Sequence, residues 1–178
     1  MWDTVGWETV DDSPLSMPTF VLWAKAELEN VSEFWAPEDH CWTLDVKQGG
    51  GAEERKGVVV DPEDWSEVAD TKDTKANFVM KFDKSDRKQS YLNIVQIKGL
   101  TRPQTADDTG MVPYIAFECR GLEPVRWTPT GPYCAKVEGG GSWDDIDLRQ
   151  DDWCEYDEKT DASVSVNKEI PHEFRLHK

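Results

Sequence analysis

Paired cysteines are missing from this sequence. Cys41, Cys119, Cys134 and Cys154 are its four cysteines, and none stands near enough to another to make a CxxC, CxC or CxxH. That spacing excludes the usual zinc-ribbon and zinc-finger ligand sets and predicts free, partly buried thiols in a reducing compartment. Basic residues are scarce: 20 Lys and Arg face 36 Asp and Glu, a net charge of −16. Nucleic-acid affinity comes mainly from clustered Lys and Arg, so nucleic acid is not expected as a partner. Such a field suits a protein partner with a basic surface. Long apolar runs are also absent; Gly57-Val58-Val59-Val60 is typical of the longest. No membrane insertion is therefore expected. The start, Met1-Trp2-Asp3-Thr4-Val5-Gly6-Trp7-Glu8, has neither a basic n-region nor an apolar h-region. It is acidic where a mitochondrial presequence is Arg-rich, which predicts a cytoplasmic protein with access to the nucleus.

Catalytic signatures are equally thin. The three histidines are His40, His172 and His177, and only His40 adjoins a cysteine, Cys41. A Cys–His dyad needs a spatial partner and a third orienting group, and the sequence supplies no sign of either. Gly139-Gly140-Gly141 lacks the Lys-Ser/Thr that follows the glycines of a phosphate loop. There is no GxSxG and no dinucleotide fingerprint. Asp144-Asp145, Asp151-Asp152 and Glu155 to Glu158 read as a solvated acidic face. The expectation is a non-enzymatic protein without a cofactor.

What is present is β pattern. The chain has 178 residues, 38% apolar, with nine Trp, enough for one domain or two small halves sharing a core. Phe20 to Glu29, Trp42 to Lys47, Gly57 to Val60, Asn77 to Phe82 and Tyr91 to Lys98 read as strands in the first half. Trp42, Leu44 and Val46 alternate cleanly with Thr43, Asp45 and Lys47. Tyr114 to Arg120, Ile146 to Arg149, Ala162 to Val166 and Glu173 to Leu176 repeat the theme. Helical periodicity reaches no further than a short turn near Glu63 to Val68. The predicted class is mainly β.

Two segment pairs suggest an internal duplication. Trp23 to Val31 aligns with Phe117 to Val125, and Leu44 to Gln48 with Ile146 to Gln150; each half also has a triple glycine, at 49–51 and 139–141. The expected organisation is an acidic Trp-containing arm, 1–17, extended or disordered, then one β domain, 18–178. Its halves would be about 18–100 and 113–178, joined by a linker at 101–112, in a two-half β-sandwich or coiled-sheet architecture. Within the arm, Trp2-Asp3-Thr4-Val5 recurs as Trp7-Glu8-Thr9-Val10. Apolar residues three apart in an extended acidic segment can fill adjacent pockets of a partner while the main chain adds to a sheet edge. Trp2, Val5, Trp7 and Val10 are the candidate partner-binding residues.

The string Phe117-Glu-Cys-Arg-Gly-Leu-Glu-Pro-Val125, followed by Ile146-Asp-Leu148, Asp152-Trp153 and Tyr156-Asp-Glu-Lys159, resembles the eukaryotic CxxC-motif-containing zinc-binding family, UPF0587 or DUF866. Ala26 to Val31 and Ala76 to Val79 agree with it, so the likeness covers about residues 18–176. The resemblance implies a duplicated β architecture whose hairpin tip holds one zinc through two CxxC pairs. Carried over residue by residue, those ligands fall on Gln48 and Gly51 and on Phe82 and Ser85. All four positions lack the thiol, which implies a divergent, metal-free member. The role expected is protein binding or assembly. The alternative is a metal-handling protein that gathers Cys41, Cys134, Cys154 and His40 in space.

Overall fold

The computed structural model describes residues 17–178. Its elements are β1 (Thr19–Ala24), β2 (Leu28–Glu29), β3 (Glu33–Trp35), β4 (Trp42–Gln48), β5 (Glu54–Val60) and β6 (Ser66–Glu67). Then come β7 (Lys75–Ala76), β8 (Phe78–Met80), β9 (Ser90–Val95), β10 (Gln104–Thr105), β11 (Val112–Arg120) and β12 (Leu122–Thr128). The last five are β13 (Tyr133–Lys136), β14 (Ser142–Ile146), β15 (Trp153–Asp157), β16 (Ala162–Val166) and β17 (His172–His177). Every regular element among the described residues is a strand, and every pairing is antiparallel.

The mainly β expectation holds, and the sheets show how the two halves combine. A five-stranded sheet runs β17-β1-β11-β9-β8, a four-stranded one β10-β3-β13-β14, and two three-stranded ones β12-β4-β5 and β15-β16-β2. Each of the four mixes both halves of the chain. The β4–β5 hairpin takes its third strand from β12, and the β15–β16 hairpin takes its third from β2. The halves are thus interlaced by hydrogen bonds rather than laid against each other as separate bodies. Residues 101–112 are more than a connection. Gln104 in β10 is 2% exposed and its amide clasps Ala26, accepting from its N–H at 2.8 Å and donating to its carbonyl at 2.9 Å.

Strand burial follows the alternation of side chains. Trp42, Leu44 and Val46 of β4 are buried while their neighbours are half-exposed. The central strand β11 is buried on both faces, so its sequence reads as a near-continuous apolar run. A bulge leaves Tyr114 without a partner on β1, because Leu22 pairs with Ile115 and Trp23 with Pro113. Below it lies an aromatic core. Phe34 packs on Tyr133 at 5.4 Å between ring centroids, and Trp127 lies within 6.0 Å of Trp42 and 5.9 Å of Tyr114.

Candidate functional site at two hairpin tips

Gln48, Gly51, Phe82 and Ser85, the positions that the resemblance marks as ligands, sit on two hairpin tips. The first joins β4 to β5. Gln48 ends β4, its N–H donates to the Glu53 carbonyl at 2.8 Å, and Gly51 N–H donates back to the Gln48 carbonyl at 3.1 Å. Gly50 takes a φ of 75°, which a side chain would resist. The Gln48 side chain folds over Gly51, and its Oε1 lies 2.7 Å from where a Cβ at 51 would stand. Any side chain at 51 must first displace that amide.

The second tip joins β8 to β9. Phe82 is only 7% exposed and belongs to the main core. The Asp86 carboxylate accepts from the N–H groups of Phe82 and Asp83, both at 3.1 Å. The Asp83 carboxylate accepts from the N–H and the hydroxyl of Ser85, both at 2.9 Å. Those two bonds, the backbone one first, hold the Asp83 carboxyl below its ordinary range. Two carboxylates therefore collect the inward N–H groups of this turn and fix its shape.

A third turn holds both tips. Gly121 links β11 to β12 with a φ of 79°, and its carbonyl accepts from Gly49 N–H at 3.0 Å and from the Ser90 hydroxyl at 3.2 Å. A Cβ at 121 would stand 2.6 Å from that hydroxyl. This gives the Cys119-Arg120-Gly121-Leu122 part of the motif a physical reason. Arg55 of β5 spans the tips directly. Its Nη2 lies 3.5 Å from the carbonyls of Lys81 and Phe82, and its guanidinium carbon lies 6.0 Å from the Phe82 ring centroid.

The residues present do not fit structural zinc. Tetrahedral zinc needs four donors, normally thiolate or imidazole. Gly51 has none, Phe82 is an apolar side chain already packed in the core, and the Ser85 hydroxyl donates to Asp83. The alternative ligand set fares no better. Among the described residues no three His, Cys, Asp or Glu side chains gather closely enough to share a metal, so Cys41, Cys134, Cys154 and His40 do not form one site.

His40 is 2% exposed and sealed against Trp42 and Tyr133, with ring centroids 4.7 and 4.6 Å away. Its Nδ1 bonds the Pro132 carbonyl at 3.1 Å and its Nε2 has no partner. Burial drives its pKa down to about 4, so the ring is neutral at pH 7. Burial, and then the Asp61 carboxylate, push the Cys41 thiol up; Cys119 and Cys134 are raised mainly by burial. These thiols lack the electropositive setting of a nucleophile. His172 is half-buried, and its Nε2 accepts from the Trp127 backbone N–H at 3.0 Å. Trp2, Val5, Trp7 and Val10 lie outside the described residues. Sequence reasoning gave no role to Arg55 or Gly121, and it read Asp157 as part of a solvated acidic face, whereas Asp157 is 3% exposed. The Asp157 carboxylate accepts from Gly141 N–H at 2.8 Å and Thr160 N–H at 2.9 Å, which accounts for the Tyr156-Asp-Glu-Lys159 string.

The arrangement is that of an all-β protein built to bring two hairpin tips together over a glycine turn. The family described as "CXXC motif containing zinc binding protein, eukaryotic" matches residues 21–175, and the chain belongs to it. The human CXXC motif containing zinc binding protein is 32% identical over 166 residues, covering 89% of this chain and 98% of that one. The UPF0587 protein CG4646 of Drosophila melanogaster is 41% identical over 92 residues, 51% of this chain and 55% of its own length. Among solved structures, that titled "Crystal Structure of C1orf123" has a TM-score of 0.76 at 31% identity, covering 89% of this chain and 99% of that one. A hypothetical protein from Plasmodium falciparum has a TM-score of 0.78 at 24% identity, covering 89% of this chain and 100% of that one; it is alike in fold.

Proposed function

We propose that this chain is a metal-free, non-enzymatic member of its family that acts in protein binding or assembly. The observation that carries this is the donor set. At the position of each family ligand stands a residue with no role for zinc, and each is engaged otherwise: Gln48 over Gly51, Phe82 in the core, Ser85 on Asp83. The raised thiols and the sealed, neutral His40 support a non-catalytic reading. The acidic field and the Trp2/Val5 and Trp7/Val10 pairs support docking to a partner with a basic surface. Elemental analysis of untagged protein, with copurification from its own cells, tests both parts. Less than a tenth of a zinc per chain and a reproducible partner are expected. Stoichiometric metal refutes the first part, and a strictly monomeric, partner-free protein refutes the second.

A further inference from the structure

An aromatic-walled cavity lies away from the tips. It has a volume of about 500 Å³ and opens between β3, β11 and the segment before β10. Phe34, Trp42 and Tyr133 line it as nearly buried rings, and Trp35 and Tyr114 as half-buried ones. The bulge in β11 is what leaves Tyr114 free of the ladder, and its hydroxyl is spent on Gln104 Oε1 at 2.5 Å, leaving the ring as its free surface. Pro37, Pro62 and Pro103 add stiff apolar walls. Pockets of this size, lined by aromatic and other apolar side chains with a few polar groups, are the usual form of a binding site.

Its charges are uneven. Arg102 is the one cation in the lining, and it is neutralised: its Nη1 and Nη2 donate to the two Asp108 oxygens at 3.0 and 2.7 Å. Glu38 is the one carboxylate in the lining, is exposed, and makes no ion pair among the described residues. The imidazole packed behind Trp42 and Tyr133 is neutral at pH 7 and does not repel a cation. Aromatic faces beside an unpaired carboxylate attract an ammonium group, and the net charge of −16 raises its local concentration.

We infer that this pocket receives a lysine side chain presented by a partner polypeptide, with its stem along Trp35 and Tyr114 and its ammonium near Glu38. The inference rests on the protein-binding reading above and gives the partner a recognisable chemistry. It is tested on the full chain with two capped tripeptides, Ala-Lys-Ala and Ala-norleucine-Ala, which share an alkyl stem and differ in the charge. Amide and indole N–H resonances of the ¹⁵N-labelled protein are followed during titration. Shifts confined to the pocket, centred on Trp35, are expected, with lysine favoured about tenfold over norleucine. Glu38→Gln is expected to lower lysine affinity about fivefold and leave norleucine unchanged. Trp35→Ala is expected to abolish both. Equal binding of the two peptides would make the cavity an apolar slot and overturn the inference, as would no binding of either. Failure of the metal-free reading is distinguishable, because zinc content is measured on the same samples. Protein that carries zinc yet prefers lysine refutes only that reading.

Discussion

Replacing Phe82 with alanine tests whether its ring braces the β8–β9 tip. If the ring has taken over the bracing of the tip, its loss destabilises the whole domain. Phe82 is 7% exposed and contiguous with Leu122, Cys119 and the rest of the core. Truncating a buried Phe to Ala costs about 3–5 kcal/mol, and a site on a turn relaxes more than one at the centre, so the lower end, about 3 kcal/mol, applies. In a domain of this size each kcal/mol moves Tm by about 2–4 °C, giving a fall of roughly 6–12 °C. Urea unfolding, followed by tryptophan emission, gives the free energy if the m-value is unchanged. Phe82→Leu serves as a control and is expected to lose about 1 kcal/mol. Ser85→Ala deletes a ligand-equivalent position on the surface and is expected to cost under 0.5 kcal/mol. Phe82→Ala within 1 kcal/mol of the parent refutes the bracing argument. So does full recovery of that loss on adding zinc.

Three further outcomes follow from the same geometry. Gly121→Ala forces a side chain to a φ of 79° and onto the Ser90 hydroxyl; we expect a loss of about 2 kcal/mol in urea unfolding, only partly recovered by adding Ser90→Ala. His40 titrates near the ordinary imidazole value of 6.5 when unfolded and at about 4 when folded, so the unfolded state binds the extra proton between those values, and acid costs stability across that window. Roughly 2–3 kcal/mol should disappear from pH 7 to pH 4, and His40→Gln should flatten that part of the stability profile. Cysteines placed together at 48, 51, 82 and 85 should bind one zinc in a colorimetric titration, because Gln48→Cys removes the amide that covers position 51; Gly51→Cys alone should bind none.

The sequence was most readable where burial is one-sided or complete. Trp42, Leu44 and Val46 announced β4 through alternation, and Tyr114 to Arg120 was read as a strand, which misses only the first two residues of β11. β3, β6, β7, β10, β12, β13 and β15 went unread, and for four of them the reason is separable. β12 contains Pro124, which ordinarily argues against a strand but here stands beside a bulge between Pro124 and Arg126. β13 follows Pro132, β15 is mostly exposed and acidic, and β3 is three residues long. That positions 48, 51, 82 and 85 hold no cysteine was legible, because it is a local statement about residue types. What the residues there do was not. The Asp86 bonds join near neighbours, but Arg55 reaches across 26 and 27 residues to the carbonyls of Lys81 and Phe82. No periodicity or short motif encodes that reach.

The Gly121 turn explains how the two tips are held together without a bridging group. A metal that bridges two loops contributes most when nothing else fixes their separation. Here the Gly121 carbonyl already accepts a bond from the first tip, through Gly49, and from the base of the second, through Ser90. Both bonds come from the scaffold and are independent of what occupies positions 48, 51, 82 and 85. The tips therefore need only local support. Asp86 and Asp83 supply it to the polar turn, and Phe82 to the apolar side beneath Arg55. On this argument the β8–β9 tip, which has a buried plug and two carboxylate brackets, is the rigid member of the pair. The β4–β5 tip, held by Gly49 and the Gln48 amide, is the one free to adapt. Hydrogen exchange at Gly50 and Gly51 faster than at Phe82 and Asp83 is the order this predicts, and the reverse order would place the bracing in the wrong loop.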